Sequence, residues 1–167
     1  MDVVGWTLPE QTDYLGWVRS EVLAPMGIDA SVFSPVPDVE DAATLSYSAE
    51  DPYLAGHFWP EMQCVGPGGW IASAESVAAY LSGLRNSGVL DSRYLGFMTR
   101  RLLGWYPGAT SYGLGYHHNG GLTHTDDSGT TGISTGAVLF PDGYEAALVA
   151  NTHVPDIIGL MYEAFDA

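Results

Sequence analysis

Two β-prone runs, residues 133–140 and 144–151, stand on either side of Pro141-Asp142-Gly143. A Pro-Asp-Gly turn between such runs predicts a β-hairpin close to the end of the chain. The alternation of aromatic or aliphatic residues with glycine from Tyr112 to Tyr116 predicts a further strand. Helical patterns lie mostly earlier. Thr7, Pro9 and Glu10 form a capped start. Tyr14, Val18 and Val22 then repeat at helical spacing, and Pro25 and Gly27 stop the helix. Ser73 is a suitable N-cap for a second helix, in which Val77, Tyr80, Leu81 and Leu84 make an apolar stripe that Asn86-Ser87-Gly88 ends. A third, weaker helix is predicted over residues 92–103, using Leu95, Met98 and Leu102, with Pro107-Gly108 as its breaker. Residues 155–165 read as a closing helix that turns Ile157, Ile158, Met161 and Phe165 toward the sheet. Helices first and a sheet with a covering helix last make an α+β chain, an antiparallel sheet flanked by helices. Residues 28–51 and 122–132 carry no strong pattern and read as loops.

At 167 residues the chain is one domain's worth and can bury roughly 70% of the surface exposed when unfolded. Its 21 glycines and 10 prolines suit a turn-rich sheet architecture better than a helical bundle. Twenty acidic residues against five basic ones give a net charge of -15, which excludes nucleic acid and anionic membrane as partners. Cys64 is the only cysteine, so no intrachain disulfide forms. The first residues carry no basic region or apolar run of the secretory kind, and no stretch is long and apolar enough to span a bilayer. The compartment stays undetermined.

All five cations are arginine, so the sequence contains no lysine. That bears on the most suggestive local pattern, Tyr116-His117-His118-Asn119-Gly120-Gly121. This run looks like half of a catalytic site, and its two glycines, having no Cβ, leave room for a close approach. The plain alternative is a surface histidine in a glycine turn. His117, His118, His124, Asp126 and Asp127 could gather around a metal, but no His-Glu-x-x-His pattern supports it, and polar loops of this kind are ordinarily solvated. No metal and no cofactor is expected. Tyr80-Leu81-Ser82 offers a Tyr-x-Ser pattern, yet Tyr80 sits on the apolar stripe and reads as core.

Four stretches in order resemble the serine β-lactamase-related family, which includes class C β-lactamases, D-stereospecific peptidases and esterases. Residues 13–15 through Leu23-Ala24-Pro25-Met26-Gly27 are similar to the family's helix ending in "PLGM". Gly68-Gly69-Trp70-Ile71-Ala72-Ser73-Ala74-Glu75 resembles its "GGLVSTAED" helix start. Tyr112-Gly113-Leu114-Gly115 with His118-Asn119-Gly120-Gly121 is similar to its "YGLGW…HxGG" strand, and residues 138–151 to its last hairpin.

The resemblance implies a β-lactamase/transpeptidase-like fold and acyl transfer to water from an ester, amide or β-lactam. It implies that His118 lines the cleft, that Gly121 offers an N–H to the oxyanion, and that Asn119 and Gly120 meet the substrate. In that family a Ser-x-x-Lys motif supplies the nucleophile, and a Tyr-x-Asn motif helps move its proton. Neither occurs here. The expectation is therefore the C-terminal portion of such a hydrolase, inactive alone, with a small acyl substrate only if a complementary N-terminal segment is supplied. The alternative is a non-catalytic binding or oligomerisation module, its partner a second copy or a different chain, because a scaffold without its first elements exposes apolar surface and a sheet edge.

Overall fold

A computed structural model describes residues 14–29, 33–35, 46–48, 55–56, 70–126 and 129–167. The predicted cap at Thr7, the turn at residues 66–69, the aromatic segment His57-Phe58-Trp59-Pro60 and Cys64 lie outside the described residues. Helix α1 (Tyr14–Trp17) continues as a π-helical turn, Val18–Leu23, and Gly27 closes it with a positive φ of 73°. Two short strands follow, β1 (Phe33–Pro35) and β2 (Ser46–Ser48). They fall inside the segment whose composition suggests only loop. Three residues are too few to leave a period-2 signature, and pairing across the fold supplies the order instead.

Strand β3 (Ala55–Gly56) pairs with β2, and β4 (Trp70–Ala72) pairs with β1. Helix α2 (Ala74–Asn86) starts where the sequence predicts: the Ser76 N–H donates to Ser73 Oγ at 3.1 Å. Helix α3 (Ser92–Arg100) ends three residues earlier than its apolar spacing suggests. Leu102 takes a left-handed φ of 55° and stays exposed, and Leu103 is exposed beside it.

The sheet is antiparallel, with order β3-β2-β7-β6-β5 and β8 also on β7. Its main strands are β5 (Tyr106–Thr110), β6 (Gly113–Asp126), β7 (Gly129–Leu139) and β8 (Glu145–Ala150). Pro107 does not break the chain; it sits in β5, opposite Tyr116. Among the described strands β5 pairs only with β6, and such an edge strand tolerates a missing N–H. Residues 122–126 and 129–132 are likewise strand and not loop. The β6–β7 ladder runs on through Leu122↔Ile133 and His124↔Thr131 to Asp126↔Gly129. The β7–β8 hairpin forms as predicted, with Asp142 at φ 60° and Gly143 at φ 88° in a 3-10 turn.

Helix α4 (Ile157–Asp166) closes the chain, and Asp156 caps it by accepting from the Gly159 N–H at 2.8 Å. Side chains of β7 alternate between two cores. Leu139 packs with Leu81 and Trp105 beneath α2 and α3, whereas Val138 packs with Phe140 and Met161 beneath α4. Helices therefore cover both faces. Phe140 stacks on Phe165 at 4.1 Å between centroids. Arg85 ties α2 to the hairpin, donating to the Phe140 carbonyl at 3.1 Å and pairing with Glu145 at 3.8 Å. No helix among the described residues is long and apolar enough to cross a membrane.

Candidate functional site at the edge of strand β6

The geometry of the His118–Gly121 stretch follows from where β5 stops. On one side β6 pairs with β7 from Tyr116 to Asp126, including His118↔Ala137, Asn119↔Gly136, Gly120↔Thr135 and Gly121↔Ser134. On the other side β5 pairs with β6 only from Gly113 to His117. From His118 onward that outer edge has no strand partner among the described residues. An unpaired edge presents backbone N–H and C=O groups outward, and the absence of Cβ at Gly120 and Gly121 leaves the approach open.

Strand alternation divides the expected site residues. His118 projects toward α2 and α3, where it lines a cavity of about 510 Å³ together with Trp70, Tyr80, Leu81, Trp105 and Thr135. Gly120 belongs to that face too, since a Cβ there would come within 2.9 Å of Thr135 Oγ1. Asn119 points the opposite way, into a groove of about 620 Å³ bordered by His117, Ser134, His153 and Asp156. His118 and Asn119 thus share an edge but not a face. For Gly121 only the backbone is described: it occupies the outer edge opposite Ser134.

The α4 face holds a pair that the sequence does not single out. His117 Nδ1 lies 3.3 Å from Tyr162 Oη, and the two rings meet edge-on at 5.7 Å. Tyr106 stacks near the same imidazole at 5.9 Å. Burial, and then the neighbouring His118 charge, hold His117 below the ordinary imidazole range. Burial raises the Tyr162 phenol above its ordinary range. Tyr162 also accounts for two glycines on β5 and β6, because a Cβ at Gly108 or Gly115 would meet its phenol ring or hydroxyl. The one available signal was its spacing, four residues beyond Ile158 on the sheet-facing side of α4.

The chemistry these groups can perform is limited. Ser134 is buried, and its Oγ accepts from the Val154 N–H at 2.9 Å on the face away from His118. Burial, and then Tyr14, raise the Tyr80 phenol, so at neutral pH it is a protonated group and not a base. Among the described residues no three His, Cys, Asp or Glu side chains gather in a way that could hold a metal. What the edge offers is backbone hydrogen bonding, an imidazole and an apolar wall. No family model, no curated protein and no solved structure matches the chain.

Proposed function

We propose that these residues form the substrate-facing wall of a serine hydrolase of the β-lactamase-related kind, with the nucleophile outside this stretch of sequence. The reaction class is acyl transfer to water from an ester, amide or lactam. In this reading the finer architecture is β-lactamase/transpeptidase-like. Gly121 supplies an N–H to the developing oxyanion, Gly120 admits the substrate backbone, Asn119 meets it, and His118 lines the cleft on the cavity side.

The observation that carries the reading is the coincidence at one point of β6. The glycine pair sits where the edge has no strand partner among the described residues, and the adjacent imidazole lines an apolar cavity. The order of the motifs along the chain supports it independently. The nucleophile must come from elsewhere because a serine hydroxyl needs a base, and the lysine of Ser-x-x-Lys is absent from these 167 residues.

The free edge also favours a second reading, a non-catalytic module that binds an extended peptide by strand addition or assembles with a second copy. One assay separates the two. The chain is mixed with a segment carrying Ser-x-x-Lys and Tyr-x-Asn, taken from the coding region adjoining its own, and chromogenic ester and cephalosporin turnover is followed. The hydrolase reading expects turnover only from the mixture, reduced by His118→Ala. Steady turnover by the chain alone that survives His118→Ala refutes it, and a folded complex with no turnover favours the module.

A further inference from the structure

The cavity beside His118 has a composition that selects its ligand. At about 510 Å³ it lies well within the size range of small-molecule sites and far above the voids of a close-packed interior. Leucines, Met98 and two tryptophans make most of its wall. The polar side chains are few: Tyr80, His118 and Thr135, with the tryptophan ring nitrogens. Among the described residues no Lys, Arg, Asp or Glu lines it, so none of them would neutralise a ligand charge. The chain's net charge of -15 further disfavours an anion.

We infer that this cavity binds an uncharged apolar chain, with the polar end of the ligand held at His118. If the hydrolase reading holds, that chain is the acyl group of a neutral, medium-chain ester whose carbonyl lies at the Gly120–Gly121 edge. The assignment to an acyl group rests on that reading, whereas the binding of an apolar chain does not.

The test uses the 167-residue chain and n-alkanols from butanol to decanol, titrated while tryptophan emission is recorded. Trp70 and Trp105 line the cavity, so occupancy changes their surroundings. Affinity rises about fourfold per added methylene, as expected for about 0.8 kcal/mol each, until the cavity is full and the series levels off. Ala137→Leu fills part of the cavity and moves that plateau to a shorter alcohol. Val77→Phe does the same from α2, in case the first variant fails to fold. Absence of saturable binding, or a plateau unmoved in both variants with native circular dichroism, overturns the inference. Alcohol binding that persists while the complemented protein hydrolyses no ester defeats the hydrolase reading and leaves the cavity assignment standing. Ester turnover indifferent to acyl length defeats the acyl assignment and leaves the hydrolase reading standing.

Discussion

Gly136 lies opposite Asn119 in the ladder, and its backbone also borders the cavity beside His118. Replacement by alanine tests whether α4 is seated as closely on the sheet as its side chains indicate. The new Cβ would lie 2.6 Å from Met161 Sδ and 3.2 Å from Ile158 Cδ1. Carbon contacts are most favourable at about 3.5–4.0 Å, so relief requires a shift on the order of 1 Å at the sulfur. Two terms favour the variant: about 0.8 kcal/mol from the buried methyl and about 0.4–1 kcal/mol from the less flexible unfolded chain. Overpacking in a well-filled core opposes them by about 1–3 kcal/mol, and Met161, with its flexible thioether, is itself only 6% exposed. The same contact pushes α4 off β7, where Val138 and Phe140 are also buried, so further packing is lost. The net expectation is a loss of about 1 kcal/mol. In urea, with a slope of about 1–3 kcal/mol per molar, that moves the midpoint by about 0.3–1 M. The diagnostic is a double-mutant cycle with Met161→Ala, which alone costs about 2–5 kcal/mol. Alanine at both positions should recover most of the Gly136→Ala penalty, a coupling of at least 0.5 kcal/mol on the scale of about 0.5–3 kcal/mol found for touching residues. Strict additivity, or an unchanged midpoint in the single variant, would refute the close seating of α4.

Other perturbations probe neighbouring links. His117 should titrate below the ordinary imidazole value of about 6.5 in an NMR pH series. Because its protonated form is disfavoured when folded, its contribution to stability is complete above about pH 6.5 and is lost as pH falls through the lower folded value; His117→Asn should flatten that part of the stability–pH profile. Ser73→Ala removes the cap on α2 and should cost about 1 kcal/mol, a melting shift of about 2–4 °C by calorimetry. Gly143→Ala should cost about 1–2 kcal/mol in denaturant titration through its φ of 88° alone, since the nearest atom to the added Cβ is Arg85 Nη1 at an unstrained 3.6 Å.

The elements legible in the sequence are those whose determinants are local. Ser73 and the stripe through Leu84 specify α2 without reference to anything else, and the Pro-Asp-Gly turn does the same for the β7–β8 hairpin. The same holds for α4, whose sheet-facing residues Ile157, Ile158, Met161 and Phe165 are buried or half-buried as their spacing implies. The elements that were not legible depend on partners distant in the chain. Threonine, glycine and histidine over residues 122–132 have the composition of a polar loop; the order of residues 122–126 and 129–132 comes from pairing between β6 and β7. Pro107-Gly108 looks like a break until the edge position of β5 and the Tyr162 ring against Gly108 are known. The helix through Leu102 fails because that residue turns left-handed and leaves the apolar stripe.

At the candidate site the sequence pointed to His118 and the glycines, and they do lie together at one point on β6. It could not show that Asn119 faces the opposite groove, because a motif written as a string does not display strand alternation as two separate surfaces. Nor could it find the apolar cavity, whose walls come from β4, α2, α3 and β7 as well as β6.

In the proposed hydrolase these residues receive an acyl substrate and another segment attacks it. Covalent labelling read by intact mass addresses this most directly, using a chromogenic β-lactam and an activated ester as acyl donors. The hydrolase reading predicts no stable adduct on the 167-residue chain alone and a single acyl adduct on the serine of an added Ser-x-x-Lys segment, with the yield falling in His118→Ala. A stoichiometric acyl adduct on a serine of this chain, formed without any added segment, would contradict it.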